Sequence, residues 1–155
     1  MRSSTKKVIV GGTFDALHGG HRFFLRKAFS LGRVTIGLTS DRMAQKAKKR
    51  KVSSFKNRKR TLGKFLKRSL SKKFKIIKIE DKFGPTLKEY FDYIVVSPAT
   101  YKTALLINKK RKKAGKKPIK IVKIKFVLAE NGKPISASKI IKGRMDKKGK
   151  LRKNN

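Results

Sequence analysis

Cysteine is absent from all 155 residues, which excludes disulfides, thiolate zinc sites and cysteine nucleophiles and makes the reducing cytoplasm the expected compartment. Acidic residues are scarce: 8 Asp and Glu stand against 46 Lys and Arg, a formal charge of +38. A surface so charged repels itself unless anions relieve it, so polyanionic partners are implied, either small phosphorylated molecules or nucleic acid. No run of about 18 apolar residues occurs, and no membrane span is expected. The opening residues MRSSTKK lead into a short strand without the apolar stretch of a secretory signal, so export is not expected. Histidine occurs only at His18 and His21.

The apolar residues, 37% of the chain, fall into short periodic runs, and a chain of this length is expected to fold as one domain. Lys7 to Val10 reads as a buried strand ended by Gly11 and Gly12. Next, HRFFLRKAFSLG lines up Phe24, Leu25, Ala28, Phe29 and Leu31 on one helical stripe, with Gly32 as the stop. Val34, Ile36 and Leu38 alternate as a second strand, and the basic stretch Asp41 to Lys51 reads as a short helix and loop. Ser53 or Ser54 caps a further helix with Phe55, Leu62, Phe65, Leu66 and Leu70 inward and Gly63 inside it.

FKIIKIE and DYIVVS read as strands separated by the turn DKFGPT, PATYKTALLINKKRKKAG as a helix with Pro98 in its first turn, and IKIVKIKF as a last strand. Strands alternating with helices at this spacing predict an α/β fold, a Rossmann-like parallel sheet of about five strands with helices on both faces. Such sheets bind ligands beyond the carboxyl ends of their strands. Residues 147–155 form a basic tail beyond a domain spanning 1–146.

Both histidines fall in VGGTFDALHGGH, Val10 to His21, where strand, glycine turn and helix start would aim backbone N–H groups at a phosphate. The histidine spacing also permits metal ligation. A closed site needs more ligands, however, and only Asp15 is near, so no protein metal site is expected. The alternative is an ordinary glycine turn with packed histidines. Thr13, His18 and His21 together suit phosphoryl transfer, which needs donors fixed around a charge-spreading transition state.

GTFDALHGGH resembles the first signature of the HxGH nucleotidyltransferases, and PISASKIIKG, Pro134 to Gly143, resembles their second, the ISSxxI segment. Within that superfamily the chain is similar to the phosphopantetheine adenylyltransferase family of archaeal and eukaryotic type. The likeness runs from about Lys7 to Lys150 through GLTSDRMAQK, DYIVVSPATYKTALLINKKRKKAG and FVLAENGKPISASKI.

The resemblance implies transfer of AMP from ATP to 4′-phosphopantetheine, giving dephospho-coenzyme A and pyrophosphate. It implies Thr13, His21 and Lys46 as catalytic residues, with Thr13, Arg42 and Lys46 at the acceptor. It implies Gly12, Thr13, Phe14, His18, His21, Asn108, Arg111, Ile135, Ser136, Ala137 and Ser138 at ATP, and Mg²⁺ brought with ATP. Ala99 departs from the pattern, where relatives often carry Glu near the nucleotide. Two alternatives stay open at this stage. One is another phosphorylated acceptor (FMN, glycerol phosphate or nicotinamide mononucleotide) with ATP or CTP. The other is a basic nucleic-acid-binding protein on the same fold, with RNA bound without sequence preference.

Overall fold

The computed structural model describes residues 5–15, 17, 19–47, 51–69 and 73–124. His18, the segment Pro134 to Gly143 and the tail from Lys147 lie outside them. The elements follow the expected alternation: β1 (Lys7–Gly12), α1 (Gly19–Leu31), β2 (Arg33–Thr39), α2 (Asp41–Ala47), α3 (Phe55–Ser69) and β3 (Phe74–Ile79). A 3-10 turn (Gly84–Leu87), β4 (Tyr93–Val96), α4 (Tyr101–Lys113) and β5 (Lys120–Lys123) complete them.

All strand pairs are parallel, in the order β3-β2-β1-β4-β5. The chain therefore leaves β1 first toward one edge and later returns to build the other. That makes the carboxyl end of β1, beside β4, the point where such a sheet opens a crevice.

Strand alternation decides which helix covers which face. Val8 and Val10 of β1 pack with Leu25, Ala28 and Phe29 of α1 and with Leu62 and Leu66 of α3. Ile9 points the other way, onto Ala104 and Ile107 of α4. Each fully buried aliphatic side chain of this kind contributes roughly 1.5–3 kcal/mol, so the two clusters hold the helices on their faces. Among the described residues no helix is long and apolar enough to cross a membrane.

Two local readings change. β1 does not stop at Val10, because the ladder with β2 continues through Gly11 opposite Gly37 and Gly12 opposite Leu38. Pro98 lies outside α4: the Thr100 hydroxyl accepts the Ser97 N–H at 3.1 Å in a turn, and the helix starts at Tyr101. Gly63 lies inside α3 as expected, and a Cβ there would meet nothing within 4 Å. Ser54, rather than Ser53, is the α3 cap, its hydroxyl accepting the Asn57 N–H at 3.2 Å. Gly32 does end α1, where any side chain would collide with the Lys6 carbonyl.

Candidate active site at the carboxyl edge of the sheet

The register that pairs Gly12 with Leu38 brings the next residues of both strands, Thr13 and Thr39, side by side. Their hydroxyls meet at 3.0 Å, Thr39 donating to Thr13. After Thr13 the chain turns sharply: Phe14 has a positive φ of 47°, a region costly for a residue with a Cβ. Its buried ring folds back over Gly12, where a Cβ would stand 2.8 Å from the ring. The same ring packs against the His21 imidazole, with centroids 5.2 Å apart and planes tilted by 54°. Gly12, Thr13, Phe14 and His21 thus form one unit, and the glycine is needed because the phenyl ring occupies its side-chain space.

His21 is the third residue of α1. Because α1 follows β1 directly, its first turn stands at the carboxyl edge, where the positive end of the helix dipole favours an anion.

Thr13 also opens onto a cavity of about 240 Å³ that runs back between the sheet and α4. Thr39, Met43, Pro85, Thr86 and Thr103 contribute to its walls, and strand residues such as Ile9, Ile94 and Val96 make its floor apolar. Lys82 is the one cation among the described lining residues. Arg42 and Lys46 are exposed on α2, which turns Met43 toward the cavity instead.

Asn108 and Arg111 have their polar groups committed elsewhere. The Asn108 carboxamide accepts the Ile119 N–H and donates to the Ile119 carbonyl, both at 2.8 Å, clamping α4 to the entry of β5. Arg111, 3% exposed, donates to the carbonyls of Thr86, Glu89 and Lys117 at 2.7–3.0 Å. These hydrogen bonds tie both residues into the fold, and neither lines the cavity that Thr13 opens onto. Asn108→Ala should destabilise the protein by about 1–3 kcal/mol, since it strands the Ile119 backbone groups. The KM for ATP should stay unchanged, a result read by denaturant titration together with steady-state kinetics.

Sequence reasoning missed Arg58. This α3 residue is 1% exposed, and its guanidinium gathers the site from beneath. It donates to the Ser53 carbonyl at 2.7 Å, and to the Thr13 carbonyl, the Thr39 hydroxyl and the Asp41 carboxylate, each at 3.2 Å. Asp41 in turn accepts the Phe55 N–H at 2.6 Å, and Asp15 accepts that of Ser53 at 3.1 Å. The signal lay in the spacing: Arg58 is three residues after Phe55 and four before Leu62, on the inward stripe of α3.

Among the described residues no group of three or more His, Cys, Asp or Glu side chains is placed to hold a metal. With Asp41 committed to Arg58 and a backbone amide, and Asp15 also accepting an amide, the donor set suits a cation carried by phosphates and water.

Comparison with known proteins places the chain in context. The cytidylyltransferase-like family model matches residues 9–143. A phosphopantetheine adenylyltransferase of Methanosarcina mazei is 47% identical over 152 residues, covering 95% of this chain and 97% of that protein. One of Archaeoglobus fulgidus is 45% identical over 145 residues, covering 92% and 97%. A crystal structure of an Archaeoglobus fulgidus protein of unknown function superposes with a TM-score of 0.73 at 43% identity, covering 76% of this chain and 88% of that one.

Proposed function

The chain belongs to the phosphopantetheine adenylyltransferases of archaeal type, within the cytidylyltransferase-like family, and from that membership we propose how its cleft transfers AMP from ATP to 4′-phosphopantetheine. The observation that carries the assignment of the site is the juxtaposition of Thr13, the first turn of α1 with His21, and an apolar cavity at one strand end.

The acceptor's phosphate monoester has a second pKa of about 6, so near neutrality it is already largely a dianion and needs no protein base. The scarcity of carboxylates is therefore no obstacle. Thr13 donates its hydroxyl to this attacking phosphate while the pantetheine arm enters the cavity, whose apolar walls suit its methylenes and methyls. His21 and the α1 amides face the α-phosphate of ATP, where negative charge builds as the new P–O bond forms and pyrophosphate leaves. Most of the rate enhancement on this account comes from holding two anions in line and neutralising the developing charge.

Gly12 and Phe14 shape the loop. His18 and Ile135 to Ser138 join the ATP donors on the strength of the two signatures alone. Lys46 and Arg42, from α2, supply cationic attraction at the acceptor, and Lys82 is a third candidate from the cavity wall. Phosphates and water would carry any Mg²⁺ brought with ATP, which would supply charge neutralisation there. The nucleotidyltransferase domain spans 1–146 with the basic tail 147–155 beyond it, the cytoplasm is the compartment, and RNA association rests on the +38 charge alone.

Thr13→Val tests the acceptor assignment. The KM for 4′-phosphopantetheine should rise about tenfold or more, as expected for losing a hydrogen bond to a charged group, while the KM for ATP moves less than about twofold. A fall in ATP affinity with no change for the acceptor would remove Thr13 from this role.

A further inference from the structure

We infer that Arg58 and Thr39 form a one-way hydrogen-bond relay that sets the direction of the Thr13 hydroxyl proton, making Thr13 a committed donor toward the acceptor phosphate. The inference rests on the proposed role of Thr13.

The direction follows from chemistry at the first link. A guanidinium has five N–H donors and no acceptor, so in the 3.2 Å contact between Arg58 and Thr39 the arginine must donate and the Thr39 oxygen must accept. Thr39 is 7% exposed, and the described acceptor within reach of its own proton is Thr13 Oγ1, at 3.0 Å. Thr13 Oγ1 therefore receives a proton from Thr39 and has its own to give. Thr13 lines the cavity, so that proton is available to a ligand there.

A free threonine hydroxyl rotates and is as ready to accept as to donate, but a phosphate dianion can use only the donor. The relay selects the useful rotamer before the substrate arrives. Because the chain begins at a fixed positive charge in a buried setting, each link polarises the next. Arg58 adds a second constraint by donating to the Thr13 carbonyl at 3.2 Å, so backbone and hydroxyl of the same residue are held from one group. Arg58 and Thr39 are positioning residues, since neither needs to touch the substrate.

Thr39→Val is the discriminating variant: it keeps the β-branched shape of a buried strand residue and removes only the hydroxyl. The full-length enzyme carrying Thr39→Val, Thr39→Ser, Thr13→Val or the double substitution is assayed with ATP and 4′-phosphopantetheine, with thermal unfolding measured in parallel. The relay predicts a KM for the acceptor raised about five- to tenfold by Thr39→Val, little change in the KM for ATP, restoration by Thr39→Ser, and no added effect of Thr39→Val once Thr13 is Val. If Thr13→Val raises the acceptor KM and Thr39→Val leaves it within twofold, the relay is wrong and the Thr13 role stands. If Thr39→Val weakens both substrates equally and serine does not restore them, Thr39 is merely structural and the relay is overturned. If Thr13→Val changes nothing at the acceptor, the underlying assignment fails first, and the relay goes with it.

Discussion

Replacing His21 with alanine should cut turnover by about 10²- to 10³-fold in a protein that still folds, the loss typical of removing one donor aimed at transition-state charge. The imidazole stands in the first turn of α1, beside the Phe14 ring that closes the Thr13 loop. Its removal takes away a donor while leaving the backbone amides of that turn in place. The ring contact with Phe14 is worth only about 0.5–1.5 kcal/mol, so stability should fall by no more than that. If His21 acts mainly on charge that appears during transfer, kcat should drop and substrate KM values should hold. Single-turnover kinetics with a parallel unfolding curve reads both. Near-normal turnover in a folded variant would show that the imidazole is packing alone.

The largest expected loss of stability belongs to Arg58→Ala, about 3–5 kcal/mol, from buried acceptors left unpaired at about 1–3 kcal/mol each and from the void left behind. The substitution strands the Thr13 and Ser53 carbonyls and the Thr39 hydroxyl, and it opens a void beneath the loop where the side chain was fully covered. The ion pair itself contributes a small share, because the Asp41 side chain is 64% exposed and water screens it. A urea titration should show the lowered midpoint with an unchanged slope. A shift under about 1 kcal/mol would mean that the α3 start and the Thr13 loop are held by packing without the guanidinium.

Strand and helix identities were legible in the sequence because burial on two faces writes a strong pattern. Val34, Ile36 and Leu38 alternate, and Leu25, Ala28 and Phe29 repeat at helical spacing; each went to the core as that period requires. Boundaries were less legible where pairing outweighed local propensity. Gly11 and Gly12 read as a turn, yet the parallel ladder with β2 carries them as strand.

At the site, the strand-turn-helix succession that sets Thr13 and His21 at the carboxyl edge of the sheet was readable from glycines, threonine and histidine in succession. Arg58 was not, since KNRKR offers several cations and only helix phase distinguishes the buried one. Asn108 and Arg111 show the converse. Family likeness pointed them at the nucleotide, whereas their hydrogen bonds bind α4 to the β5 entry and to the 3-10 turn. Polar side chains on an inward stripe are as readily consumed by buried backbone groups as by ligands, and spacing alone does not separate the two.

The most direct test of the account is the reaction run on the full chain with ATP and 4′-phosphopantetheine, following pyrophosphate and dephospho-coenzyme A together, with FMN, glycerol phosphate and nicotinamide mononucleotide as competing acceptors. The account predicts that the two products appear in equal amounts, that release depends on 4′-phosphopantetheine, and that the other acceptors give only background. Pyrophosphate released with one of those acceptors and not with 4′-phosphopantetheine would contradict it.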